Sequence, residues 1–365
     1  MQICHDRRHA RTVRAGRTAG SRRRSSGRRA DRLHGLPGSS GQNGSQRTHG
    51  GPRGSLIHGY FITMRAFAWF LLLIGFSLAA MAVFAYPAWL LLHPHFDFPF
   101  HRIGERIGML GFLAGFLLVA RRLRLSDRAS LGFGVARRTY LRELSLGLLI
   151  GVITMSAVVA SMALLGLLEW QRAARFGAAA LAGLVAKRLL SGLAVGLIEE
   201  TALRGAMFSG IQRESGTLVA IVLTSLVFSA THFLGVYHIP PAEVSASSGL
   251  ALLAGSLRAF AHPLAIADAF LCLTAVGVVL AMVRSITGNT AASMGLHAGW
   301  VWVMLVVHGL SQPDRSAPLR GLLSRHDGFT GWLVLAWTVP LGFGLWWFYS
   351  RRTAGRTAGA APEGA

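Results

Sequence analysis

Charge is what this sequence most lacks. Only 14% of its 365 residues are Asp, Glu, Lys or Arg, and only 15 are acidic, where water-soluble globular chains carry about 25% charged residues. That shortage excludes an ordinary soluble domain, and the 52% of hydrophobic positions and mean hydropathy of +0.46 agree. Cysteine is nearly missing too. Cys4 and Cys272 are the whole supply, which excludes a disulfide framework and a cysteine-based zinc site. There is no internal repeat of the kind many transporters carry. The helical pair of histidines four residues apart that marks soluble zinc proteases is absent as well. No cleavable signal peptide is evident, because the first apolar stretch, residues 67–92, is too long for one and reads as an uncleaved span.

What charge there is sits unevenly. The net charge of +22 would suggest nucleic acid, but residues 1–63 hold 13 Arg and 2 Asp, half of the excess. This tail is rich in Arg, Gly, Ser and His and has no apolar periodicity, so it reads as disordered. It lacks the interleaved aromatics that stack on bases, and no nucleic-acid partner is expected. A membrane-like sequence starts abruptly at Met64, and translation from that methionine is the expectation.

About 20 apolar residues in a helix cross the hydrocarbon core. By that rule about eight spans are expected, near 67–92, 104–120, 144–168, 188–211, 217–236, 264–284, 289–310 and 331–349. Residues 176–187 are read as a separate interfacial or re-entrant helix leading into the fourth span. The fold class is therefore an all-α polytopic transmembrane bundle, with the lipid bilayer as its first partner. Seven arginines between Arg121 and Arg142 place that loop in the cytoplasm. Arg351 and Arg352 agree, whereas Arg172, Arg175, Lys187 and Arg188 on the opposite side do not. The stretch from Tyr237 to Ala261 carries Pro240-Pro241 and a serine-rich run before an apolar part too short to span, and reads as a surface segment that could act as a lid. Glycine pairs at 111/115, 147/151, 192/196 and 295/299 permit close helix approach in lipid.

Ionisable side chains at bilayer depth cost about 2.5–3.5 kcal/mol each on insertion scales, so each needs a partner or a function. Three expected spans contain them: Glu199, Glu200 and Arg204 in the fourth, His232 in the fifth, and Asn289 with His297 in the seventh. Glu200 and Arg204 are four apart and share a helix face, while Glu199 is turned about 140° from Arg204 on a regular helix. Arg204 thus neutralises Glu200 and leaves Glu199 unpaired, as a general base requires. Phe228 and His232 are also four apart, so the ring can wall the pocket that receives the imidazole. Counted at 1.5 Å per residue, His297 lies about 12 Å and His232 about 22 Å from the cytoplasmic side, with Glu199 near the middle.

One glutamate and two histidines on three helices are the minimum set for activating water. Either His232 and His297 hold a divalent metal such as zinc, or Glu199 takes the proton and a histidine stabilises the oxyanion without metal. The sequence leaves both open.

These residues resemble the CPBP family of intramembrane proteases, which groups type II CAAX prenyl endopeptidases with bacteriocin-processing proteins. Its EExxxR motif matches Glu199 to Arg204, and its FxxxH motif matches Phe228 to His232. Its third motif, a histidine followed four residues later by Asn or Asp, is met only at His297, since residue 301 is valine. The resemblance implies catalytic roles for Glu199, His232 and His297, with Glu200, Arg204 and Phe228 in support. Asn289 is the candidate to bond His297 in place of the missing amide.

On this reading the chain divides into the tail 1–63, first spans and basic loop 64–143, a protease-like core 144–310, and a last span with tail 311–365. The expected function is endopeptidase cleavage of a peptide or lipidated protein in or beside the membrane. The substrate would be of CAAX or leader-processing type, and the bacterial inner membrane is the expected location. The rival class is a non-catalytic protein or transporter that uses the same buried charges.

Overall fold

Hydrocarbon offers backbone amides no water to bond, so an apolar chain of this kind closes its hydrogen bonds within helices. A computed structural model describes residues 64–358, apart from 171, 172, 174, 175 and 236. The tail at 1–63, Arg172, Arg175 and residues 359–365 lie outside the described residues.

The described chain is an all-α bundle. Its helices are α1 (Arg65–Leu92), α2 (Phe100–Arg122), α3 (Arg137–Leu164), α4 (Ala178–Glu199), α5 (Phe208–Ser215), α6 (Thr217–Thr231), α7 (Ser248–Ser256), α8 (Ala267–Thr287), α9 (Ala291–Leu310) and α10 (Trp332–Ala358). A π-helical segment, Glu200–Met207, joins α4 to α5, so Ala178–Ser215 is one continuous rod of 38 residues. Seven helices, this rod included, are long and apolar enough to cross a membrane. Two-residue strands, β1 (Leu168–Glu169) and β2 (Gln312–Pro313), pair antiparallel and tie the loops that follow α3 and α9.

Two expectations need correction. No separate helix occupies 176–187: the rod runs straight through Lys187 and Arg188, because long basic side chains can lay their stems along the helix and carry the charge outward. The fifth span, expected at 217–236, is only the 15-residue α6. At about 22 Å it is shorter than the roughly 30 Å hydrocarbon core, and it stops one residue before His232. The segment after it does lie on the surface of the bundle, where Leu250 and Leu257 are exposed. α7 lies on α1 and α2, where a Cβ on Gly249 would stand 1.9 Å from the Ala82 carbonyl oxygen, and Leu252 is buried.

Several ends gather on one face. The Ala66 amide donates to Glu214 at 2.9 Å, Arg213 reaches the Arg124 carbonyl, and Arg352 lies 3.4 Å from the buried Glu143. The starts of α1, α3 and α6 and the ends of α2, α5 and α10 therefore share the face that carries the basic loop.

Glycine sets how the centre packs. On α9, a Cβ at Gly295 would fall 2.1 Å from the Leu144 carbonyl oxygen and one at Gly299 2.7 Å from that of Leu148. Across the crossing, Gly147 and Gly151 of α3 meet the Ala292 and Leu296 carbonyls equally closely. From the other side Gly192 and Gly196 of α4 press on the Ala298 and Met294 carbonyls. Three of the four glycine pairs read in the sequence thus clamp α9 between α3 and α4. Replacing Gly295 by valine should cost about 1–3 kcal/mol or more through overpacking. Thermal melting in detergent checks this, with Gly75→Ala, where a Cβ meets nothing within 4 Å and alanine favours the helix, melting at or above the wild-type midpoint.

Candidate functional site

The glycine clamp brings the end of α4 against α9, one turn from the charged residues. Glu200, four residues past Gly196, meets His297 there: its Oε1 accepts from His297 Nδ1 at 3.1 Å and from Arg204 Nη1 at 3.0 Å. Glu200 and Arg204 are fully buried and His297 is 3% exposed. Arg204 also donates to the Gly277 carbonyl of α8 at 3.3 Å and stacks 4.4 Å above the Phe228 ring. Pairing and hydrogen bonding of this kind offset the cost of burying the two charges.

Phe228 is the hub of the arrangement. Its ring lies 4.5 Å from the His232 ring and 5.6 Å, edge-on, from that of His297. Its carbonyl accepts from His232 Nδ1 at 2.7 Å. That bond follows from the early end of α6, since the last turn of a helix leaves carbonyls without an intrahelical partner. A carbonyl can only accept, which assigns the proton of His232 to Nδ1 and leaves a lone pair on Nε2. The carboxylate of Glu200 does the same for His297.

Two cavities meet at His232. The larger, about 440 Å³, lies among α3, α6, α8, α9 and α10 and takes in His232, His297, Trp300 and Val301. The smaller, about 390 Å³, lies among α1, α2, α6 and the end of α4 and takes in Glu199, Thr231 and His232. Glu199 is half-buried, and its Oε2 is buried without a hydrogen-bond partner. It is less isolated from Arg204 than a regular helix implies. They are five residues apart, the spacing of the π ladder, and the Arg204 charge acts on both Glu200 and Glu199.

Asn289 does not serve His297. Its amide donates to the Thr287 carbonyl at 3.0 Å and its oxygen accepts from the Ala291 amide at 2.9 Å, which closes the turn into α9. Glu200 fills the place expected of residue 301 or Asn289, and Val301 is simply part of the apolar cavity wall. His232 and His297 are the residues that would hold a metal. They line one cavity, but among the described residues no three His, Cys, Asp or Glu side chains are grouped to hold an ion.

Residues 181–303 match the type II CAAX prenyl endopeptidase Rce1-like family. The CAAX-protease match contains every paired or cavity-lining residue named from the motifs, from Glu199 to His297, and leaves out α1, α2, α3 and α10. No curated protein and no solved structure matches the chain.

Other groups at the site escape the motifs. Trp300 donates to Thr154 at 2.9 Å and fixes the wall beside His297. His326, from the loop before α10, lines the far side of the larger cavity with its ring 4.8 Å from that of Phe233. Arg284, at the end of the run expected to span 264–284, donates to the Arg204 carbonyl at 3.0 Å, a contact across 80 residues that no local pattern shows.

Proposed function

We propose that this chain is a membrane-embedded endopeptidase that hydrolyses a peptide bond in or beside the bilayer, on a substrate of CAAX or leader-processing type. One observation carries the reading: His232 stands in the wall shared by both cavities, with Glu199 on one side and His297 on the other.

In this mechanism a water molecule sits between Glu199 and the free Nε2 of His232. Nε2 accepts a hydrogen bond from one water hydrogen and so orients the oxygen. Glu199 removes the other proton as the oxygen bonds to the peptide carbonyl carbon. The carbonyl electrons move onto its oxygen. A proton drawn from solvent onto Nε2 of His297, whose Nδ1 is bonded to Glu200, lets that ring donate a hydrogen bond to the oxyanion and stays on the ring through the step. The carbon–nitrogen bond then breaks as Glu199 returns its proton to the leaving nitrogen. The apolar walls keep bulk water from the centre.

A peptidome comparison tests the reading. Membranes from cells lacking the protein should accumulate uncleaved precursors that wild-type protein removes and a His232→Ala variant does not. Identical peptide sets with and without the protein would overturn it.

A further inference from the structure

A buried cation with no carboxylate is costly, and α8 carries one. Arg284 is 6% exposed, and among the described residues no acidic side chain pairs with it. Its Nε instead donates to the backbone carbonyl of Arg204 at 3.0 Å, and its Nη2 lies 3.5 Å from Ser209 Oγ. The guanidinium sits 5.7 Å from the centre of the Phe208 ring. Desolvating an arginine to bond one main-chain carbonyl makes sense where that carbonyl must be held. Arg204 O lies inside the π-helical segment, where the regular hydrogen-bond ladder is widened.

The start of α5, directly after this segment, is gripped from the basic loop. Ser209 Oγ donates to the Ser130 carbonyl at 2.8 Å, and Arg213 donates to the Ser130 hydroxyl, which in turn donates to Asp127. Those bonds from Ser130 hold the Asp127 carboxyl below its usual range. Leu131 O would stand 2.6 Å from a Cβ on Gly205, so the loop presses directly on the π segment. One residue on, Gly132 O accepts from the Thr290 amide at 3.0 Å, seven residues before His297. A single loop outside the family-matched residues therefore touches both the segment that carries Glu200 and the start of the helix that carries His297.

We infer that Arg284 is a positioning residue. Together with the Asp127–Gly132 loop, it holds the π-widened turn so that Glu200 meets His297 while Glu199 faces the smaller cavity. The inference rests on the proposed endopeptidase reading for its catalytic meaning and on geometry for the brace itself.

The test uses the full chain in proteoliposomes, with Arg284→Gln and Arg284→Lys assayed on a precursor found in the peptidome comparison. Losing the brace misplaces the reacting groups without touching substrate. For Arg284→Gln, kcat per folded molecule should fall about 10-fold or more with KM within about 2-fold, and lysine should restore part of it. Hydrogen exchange of amides 204–209 should speed up in the same order. Unchanged kcat per folded molecule in both variants, or a loss that only tracks the folded fraction, would overturn the inference. Should glutamine prevent folding, the lysine variant alone decides by the same criteria. If the wild type cleaves nothing, the endopeptidase reading falls, and unchanged exchange at 204–209 separately removes the brace.

Discussion

Glu199→Gln should reduce kcat by about 10²–10⁴-fold, the usual loss when a general base is removed, while the folded yield and melting temperature stay at wild-type values. The side chain has no hydrogen-bond partner on Oε2 and forms no ion pair among the described residues. Its charge bears on the fold only through Arg204, which Glu200 already pairs at 3.0 Å, and glutamine keeps its shape. Glu200→Gln behaves differently. It removes the acceptor shared by Arg204 and His297, so it should lower the amount of folded protein as well as cleavage. A purified panel of the two variants, assayed on one precursor with the folded fraction measured in parallel, separates base from support. Equal residual cleavage in Glu199→Gln and wild type would remove Glu199 from the mechanism.

The largest loss of stability is expected from Arg204→Met. Methionine fills much of the volume but leaves the Glu200 carboxylate buried without its cation, a change that costs about 3–5 kcal/mol. The cation over Phe228 and the bond to Gly277 disappear together with it. Double replacement, Glu200→Gln with Arg204→Met, should recover part of that loss, because the uncompensated charge is gone. Chemical or thermal unfolding in detergent reads the cycle. Stabilities that simply add would mean that the pair is not coupled.

How much of this was written locally can be traced residue by residue. The long apolar runs gave the spans, because helix is the backbone's solution in lipid and run length alone decides whether a helix can cross. Glu200 with Arg204 was legible from a spacing of four. Phe228 with His232 was legible in the same way, although the use of the Phe228 carbonyl was not. That bond exists because α6 ends early, and residues 232–236 are apolar enough to have continued it. The partner of His297 lay 97 residues away, where no local pattern reaches. The π-widened turn that follows Glu199 is contacted by Arg284 and Leu131, both distant in sequence. Glycine pairs announced close approach, but only packing showed that three of them grip the same helix.

The shortness of α6 has a consequence for reactant supply. A helix about 8 Å shorter than the hydrocarbon core hands the chain to turns whose amides still find carbonyls, His232 at Ser229, Phe233 at Ala230 and Gly235 at Ser256 of α7. Irregular chain survives there only if sheltered by protein or bathed in solvent. His232 is exposed at that terminus. On the endopeptidase proposal, the attacking water would reach the imidazole along the truncated end of this one helix, without parting the bundle.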